Sequence, residues 1–597
     1  MYVSSYLTLN TALSGVEAAQ EEMDTTGQNI DNANTDGYEE QTVDLVESAS
    51  LSIAGSGADG AMQLGTGVTA TGISNSGDPY LDAAWRTQNA STTAATTTQS
   101  YLQQIESALN EPSTTGISSQ LSQFWSDWNT LADNPTSAAA QQAVIDDGED
   151  LSSSFNSLSS ALNGPDPSNP TDPTNSSSIM GQVNAQYMDA MAGPTGAGAS
   201  GGSVYNDAYN ISALNYSIVQ ATAAGQNPND LIDQRNAALD DLSSLGNVTV
   251  QNNSDGSVTV YFGGVQGTAL VEDPSGYPPG GSVPPGDNFG SYATSGGAAA
   301  TGWAAAFQSQ YSNAANGTGT YTTPQTAAQL ATTVGGTLGS LIGLAGYSEN
   351  GFGNLGAPED DTTTDTTTYP TPTAATQLGT IGSITSQLDQ VAADLANEVN
   401  NPSVVYDGTA TQTSTGTTPA PTPPATTTAP NGAISLLADF FTYNAADPAA
   451  SLSVSSTLQA AAQAGITPGQ FTGSGTPGDN GVSNIQVSTL GTSYAGNYSS
   501  NNDVALDEAN NSGGSADQAF QSFVQQVGSL AQGANNTETT QSALQTQITN
   551  QRQSVEGVDL DQEMSNLINE QQSYEASAKV MNAFSTVMDS LMTIVGE

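Results

Sequence analysis

"YLTLNTALSGVEAAQEEMDTTGQNIDNANTDGY", Tyr6–Tyr38, is a helical pattern that runs into a strip of turn-forming residues. Tyr6, Leu9, Leu13, Val16, Gln20, Met23, Gly27 and Ile30 recur at alternating steps of three and four residues. That is the spacing of a coiled-coil seam. The other end of the chain repeats the device with Leu560, Met564, Leu567, Gln571, Tyr574, Ala578 and Met581, and Met588, Leu591, Met592 and Val595 extend the stripe. A lone helix with one apolar face gains little stability without a partner to pack on. Chain ends also fray unless they are tied down. The two ends are therefore expected to pair with each other or to dock on other subunits. If they pair, the chain between them leaves and returns at one end of the molecule, and each outer layer is inserted into the one before it.

The polar strip that follows the first seam, with Asn29, Asn32, Asn34, Gly37 and Tyr38, ends the helix for a physical reason. Asn and Asp side chains bond nearby backbone groups and offer a turn where the helix stops. Further in, "YLQQIESALNEPSTTGISSQLSQFWSDWNTLADNP" (Tyr101–Pro135) alternates helix signals with turns at Glu111–Gly116 and Asp133–Pro135. Val144, Leu151, Phe155, Leu158 and Leu162 predict another helix, as do Ile179–Met191, Ile211–Ala224 and "NDLIDQRNAALDDLSSL" (Asn229–Leu245). "NVTVQNNSDGSVTVYFGG" (Asn247–Gly264) predicts a hairpin about Asp255-Gly256. Leu378, Ile381, Ile384, Leu388, Val391, Leu395 and Val399 mark a long helix, and roughly Ala516–Val555 another. The Pro- and Asn-rich Asn163–Ser178 predicts a loop. Residues 266–325 are rich in Gly and Pro, and two Thr/Pro strips, Asp360–Thr373 and Thr409–Pro430, predict exposed linkers. Short strands and turns are expected over 451–490.

The expected fold is mainly α with added β, elongated and multidomain. Residues 1–50 plus 551–597 would form a coiled-coil inner domain. Residues 51–345 plus 490–550 would form a helical middle domain with a β-hairpin, and 346–489 a β-containing outer insertion.

Composition narrows the chemistry. The 597 residues include neither Cys nor His, which removes disulfides, thiolate sites and the usual general base. Asp360–Asp365 ("DDTTTD") lacks the ligand rhythm of a calcium loop. Ile145–Asp150 reads as a solvated helix face, and "GGTLGSLIG" (Gly335–Gly343) lacks the Lys of a phosphate loop. No catalytic, metal-binding or cofactor-binding residue is expected. The N-terminus lacks the basic segment of a signal peptide, and no apolar run is long enough for a membrane helix.

The charge balance is extreme: Lys plus Arg total 4 against 58 Asp plus Glu, a formal charge of −54. Nucleic acid, which needs a basic footprint, is not an expected partner. A surface almost without bases becomes nearly neutral at about pH 3, so the expected surroundings are acidic external medium. The retained bases are Arg86, Arg235, Arg552 and Lys579. Arg86 and Arg235 are expected in ion pairs, Arg235 with Asp230, Asp233 or Asp240, because Arg holds a carboxylate in a bidentate fork.

"NIDNANTDGY" (Asn29–Tyr38) resembles the N-terminal motif of bacterial flagellar axial proteins, and "VDLDQEMSNLINEQQSYEASAKVM" (Val558–Met581) resembles their C-terminal motif. Tyr101–Pro135, Asn229–Leu245 and Gly335–Gly343 resemble the hook-filament junction family, the FlgK-type hook-associated proteins. The likeness spans both ends and much of 80–345, then fades across 350–500. "GYEEQ" (Gly37–Gln41) departs from the family where a basic residue is expected. The resemblance implies a non-catalytic extracellular ring of about eleven copies joining hook to filament. Its partners would be the hook protein, a second junction protein or flagellin, and an export chaperone, and it would be exported without a cleaved signal peptide. In the implied arrangement Asn29–Tyr38 connects the layers and packs between subunits. The alternatives are another axial protein, such as hook protein or flagellin, or a junction protein whose insertion is an adhesin or hydrolase.

Overall fold

The structure, a computed structural model, describes residues 2–35, 37–53, 62–134, 137–164, 177–192, 201–265, 267–272, 303, 306–307, 309–310, 313–314, 325–348, 351–352, 378–400, 440–445, 447–456, 458–459 and 514–595. Most of the Asn163–Ser178 loop, most of 266–325, both Thr/Pro strips and most of 451–490 lie outside these residues.

Helix α1 (Tyr2–Asn32) leads into β1 (Gln41–Glu47), which pairs antiparallel with β4 (Val68–Asn75), with a bulge between Asp44 and Leu45. Between them β2 (Leu51–Ile53) pairs with β3 (Met62–Leu64), a ribbon for which the sequence pattern gives no sign. Helix α2 (Pro79–Leu109) starts on the Asp78 side chain, which accepts from the Tyr80 and Leu81 N–H groups, with Pro79 in the first turn where its missing N–H costs nothing. Asn110, in the left-handed region at φ 52°, ends it. Next come α3 (Ile117–Asp133), α4 (Ala138–Asn163), α5 (Ile179–Met191), α6 (Ser203–Ala223) and α7 (Asn229–Leu245). Ser137 and Ser178 cap α4 and α5 with their hydroxyls.

The expected hairpin is β5 (Val248–Asn252) with β6 (Val258–Phe262), and Val258, Val260 and Phe262 present one fully buried face. Helices α8 (Ala327–Val334) and α9 (Gly336–Ala345) follow. Gly336 has φ +57°, and a Cβ there would stand 2.4 Å from the Gly246 nitrogen, so close packing fixes glycine at this point of the "GGTLGSLIG" segment.

Helix α10 (Thr380–Asn400) buries Ile381, Ile384, Leu388, Val391, Leu395 and Val399. Its end organises two other segments. Glu398 accepts from the Ser515 and Ala516 N–H groups that begin α11 (Ser515–Glu556), the favoured place for a carboxylate. Asn400 accepts from the Phe440 and Phe441 N–H groups. The short strands β7 (Phe441–Thr442) and β8 (Ser453–Val454) then pair. Helix α12 (Leu560–Val595) follows α11 after a break at Gly557.

Two long antiparallel pairs dominate. In one, α2 lies along α11, with Trp85 Nε1 donating to Thr549 and Gln99 to Asn535. In the other, α1 lies along α12, with Asn29 bonding Glu563 and Thr26 bonding Glu570. No helix among the described residues is long and apolar enough to cross a membrane. The fold is mainly α with small two-stranded sheets.

Two expected boundaries move. Phe440 and Phe441 stack into the Phe124, Trp125 and Trp128 cluster, with Phe124–Phe440 and Phe124–Phe441 centroids both 5.8 Å apart. Together with α10 they belong to the same core as α3, α4 and α11. These parts of 346–489 therefore pack into the core of the helical body. The boundary at 551 also shifts, since α11 runs to Glu556 and its last turn packs on α2.

Deleting a buried aromatic ring costs about 3–5 kcal/mol. Phe440→Ala should therefore destabilise the whole helical body by about that amount, read as a shifted denaturant midpoint both for the fluorescence of Trp125 and Trp128 in α3 and for the loss of helix. An unchanged midpoint would mean that 440–459 folds apart from the body.

Candidate functional site

The terminal pair meets the body at one crossing, and Asn29 is its pin. Asn29 is 1% exposed, at the last turn of α1. Its Nδ2 donates to the Gln41 carbonyl at 2.8 Å and to Glu563 Oε2 at 3.0 Å. Its Oδ1 accepts from the Gln41 N–H at 3.0 Å and from the Tyr38 hydroxyl at 2.9 Å. One side chain thus joins α1, the strip after it, β1 and α12. Gly37, at φ +76°, supplies the turn that brings Tyr38 back. Asn32 works locally: its carbonyl and side chain accept from Thr35. Asn34 is exposed.

Beneath the pin lies a buried ionic cluster. Arg86 bonds Asp240 at 2.7 Å and faces Asp82 at 3.4 Å. Arg552 reaches Asp82 at 2.9 Å, Glu556 at 2.8 Å and Asp240, and its guanidinium lies 5.3 Å from the centre of the Trp85 ring. Glu39, 2% exposed, accepts from Asn75 at 2.6 Å and Asn236 at 3.0 Å. The elements that supply this cluster are α2, α7, α11 and the segment leading into β1.

The expectation for Arg86 and that for Arg235 come out differently. Arg86 is ion-paired. Arg235 makes no ion pair among the described residues; it donates to the Gly256 carbonyl at 2.8 Å and to Asn215 at 3.4 Å, pinning the β5–β6 turn. Asp240, one of its three expected partners, is taken by Arg86 and Arg552. Burial, with Arg86 nearby, pulls the Arg235 guanidinium down to about 10. For Arg552 burial also opposes the charge, but Asp240 and Asp82 outweigh it and hold the group above its ordinary value.

Glu39, Asp82 and Glu556 bring an oxygen each within 4.8 Å of one another, a spacing a hard cation could bridge. The six oxygens already face nitrogen donors of Arg, Asn or backbone at 3.4 Å or less. A cation there would also have to displace Arg552. Burial and the neighbouring Asp233 push Glu39 up to about 7. Burial raises Asp233 to about 6, and also raises Asp82 and Glu556.

The seam residues fall on a rotated interface. On α1 the buried positions are Ala12, Ala18, Ala19, Thr25, Thr26 and Asn29, all small or polar, and Thr26 and Asn29 among them bond α12. Leu9, Val16, Met23 and Ile30 are half-buried, while Leu13 is 42% exposed. On α12, Leu567, Tyr574 and Met581 are half-buried in one row with Glu570 and Ser577, and Glu563 is buried. Leu560, Met564 and Met588 are exposed. Val595 closes the helix, and its side chain is outside the described residues. Close approach explains the rotation: a Cβ at Gly15 would lie 3.0 Å from Ser577 Oγ, so bulkier residues are turned aside.

The motifs at the two ends are those of a class, the flagellar rod-and-hook axial proteins. Residues 9–38 match the flagella basal body rod protein model, and 549–594 match the C-terminal model of the flagellar basal body rod FlgEFG proteins. Residues 102–168 and 202–416 match the helical domain of flagellar hook-associated protein FlgK, and over that part the chain is of the FlgK type. Flagellar hook-associated protein 1 of Bacillus subtilis (strain 168) is 30% identical over 271 residues, 45% of this chain and 48% of that protein. Its namesake in Escherichia coli (strain K12) is 27% identical over 266 residues, 44% of this chain and 43% of that one. The chain thus spans about half the length of the curated relatives it matches. The flagellar hook junction protein FlgK from Burkholderia pseudomallei aligns with a TM-score of 0.32 at 18% identity, over 54% of this chain and 44% of that one.

Removing one partner of a buried ion pair costs about 3–5 kcal/mol. Arg552→Gln should cost about that much, measured by denaturant unfolding. The pH dependence has a definite sign. Glu39 and Asp233 titrate higher folded than unfolded, so their contribution is fully present below the unfolded carboxylate range and is lost as pH rises through 6 to 7. The melting temperature should therefore rise from pH 8 to pH 5, and Glu39→Gln should flatten that rise. A fall over the same range would reverse the assignment.

Proposed function

We propose that the chain is a structural subunit of the bacterial flagellum, a non-catalytic junction ring of about eleven copies between hook and filament. The observation that carries this reading is the order of the matches: rod-type ends enclosing a FlgK helical domain. The rod-type ends alone would suit a rod or hook protein equally, and the FlgK domain between them favours the junction. The exposed apolar residues of the terminal pair, Leu13, Met564, Ile568, Val580, Val587 and Met592, support self-assembly, because a monomer leaves them in water.

On this reading the protein is extracellular and exported without a cleaved signal peptide. It would stack on hook protein on one side and meet a second junction protein or flagellin on the other, after release from an export chaperone. The organisation would be layered, with the terminal pair innermost. Depletion of bases adapts the surface to an acidic exterior. All carboxylates with resolved shifts among the described residues, including Asp147 and Asp207 at about 7 and Asp389 at about 6, are raised, mainly by burial. Acid strengthens such a fold, as worked out above for Glu39 and Asp233.

A deletion strain should carry hooks without filaments when viewed by electron microscopy, with filaments restored by the gene in trans. Normal filaments on the deletion strain would overturn the junction role.

A further inference from the structure

Of the four basic side chains, three are consumed inside the fold: Arg86 and Arg235 are buried, and Arg552 is enclosed by Asp82, Asp240 and Glu556. Lys579 alone stands in water, with its side chain 78% exposed. On a chain of formal charge −54, almost any surface brought against another copy sets acid against acid. The exception is where Lys579 lies. Its one ion-pair partner among the described residues is Glu575, at 3.5 Å and itself 58% exposed. A surface pair of that kind contributes little and leaves other donors of the ammonium unused.

Lys579 also points the right way. On α12 the row against α1 contains Glu563, Glu570 and Ser577. At 3.6 residues per turn, Lys579 falls about half a turn from that row, on the outward side. Met564, 58% exposed, and Ile568, 53% exposed, share that side. Helix α1 has a complementary outward side. Opposite its buried Ala12, Ala19 and Thr26 stand Glu17, Glu21, Asp24 and Asp31, all exposed, with Leu13 one turn before Glu17.

We propose that Lys579 latches onto a second copy of this chain, its ammonium on Glu17 and its methylene stem along Leu13 of the neighbour's first helix. This deepens the assembly reading above and rests on it. The heights agree. Gly15 is level with Ser577 in the antiparallel pair. Two residues further on, Lys579 is level with about residue 13, and Glu17 lies about 6 Å along α1 from that level, within reach of a lysine chain. Copies related by rotation in a ring stand at one height, so the same levels meet. A lysine that lays its stem on an apolar residue and its head on a carboxylate uses both ends of its side chain. The two faces lie on opposite sides of the helix pair, so the contact is head-to-tail, the kind that closes rings rather than two-fold dimers.

The test measures how much of the chain is present in flagella isolated from cells carrying variant genes. Lys579→Glu should lower incorporation by about tenfold. Adding Glu17→Lys, which restores the pair with reversed charges, should recover it. In the cysteine-free chain, Glu17→Cys combined with Lys579→Cys should give a ladder of linked copies with a short bismaleimide, and Asp31→Cys with Lys579→Cys should not. The latch is overturned if Lys579→Glu incorporates normally, if the charge reversal fails to rescue, or if the two cysteine pairs link equally. It is also overturned, in favour of another occupant, if only a charge change in a hook-type or filament subunit rescues Lys579→Glu. Absence of the unaltered chain from isolated flagella would instead overturn the assembly reading, and the latch with it.

Discussion

The structure depends on Arg552. It stands one turn from the end of α11 and holds Asp82 at the start of α2, Asp240 in α7 and Glu556 in its own helix. Three body helices are thereby fixed at the level where the terminal helices attach. Burying so many charges is costly, and such clusters are weak evidence for stability in themselves. What the cluster fixes is register. A helix slid by one residue would leave carboxylates without their guanidinium groups, and no shifted arrangement satisfies them. In a chain with so few bases, placing Arg86 and Arg552 together makes this the most constrained point of the body.

Above it, Asn29 transmits that constraint to the terminal pair. All its side-chain hydrogen-bonding groups are used, and the four partners come from three other segments. Asp could accept but not donate to the Gln41 carbonyl and Glu563, and Leu could do neither. The pair beyond is held by small and polar contacts and leaves much of its apolar surface outward. Its order is thus borrowed from the cluster below it and from whatever covers its outer faces.

Periodicity found the elements whose burial is apolar. The stripe in α10, the alternation in β6 and the spacing of α4 were legible because each buries aliphatic or aromatic residues at the period of its element. The expected seam lies beside a row of Ala12, Ala19 and Thr26 on α1 and Glu563, Glu570 and Ser577 on α12, small and polar side chains that give periodicity little to find. The strip at Asn29–Tyr38 stood out by composition, yet its partner Glu563 is 534 residues away along the chain and unmarked. The ionic cluster did leave a trace: Asp82 with Arg86, and Arg552 with Glu556, each four residues apart. In a chain with only four bases that repetition was a usable sign. Arg235, sitting among acids, drew attention instead, although its helix turns it toward the β5–β6 turn.

The crossing between the two layers also determines how the molecule carries load. Two stretches of chain pass between the terminal pair and the body: residues 33–78 on one side and the short break after Glu556 on the other. They are stitched by backbone bonds, with the Glu40 N–H donating to the Glu556 carbonyl at 2.8 Å and the Ser76 N–H to the Glu40 carbonyl at 2.9 Å. Tension or torque applied to the terminal helices therefore meets a clamped double strand, with the Asn29 bonds beside it, where it enters the body. The arrangement is that of a cable led through a fairlead: both lines pass one clamped point on the way to their anchorage.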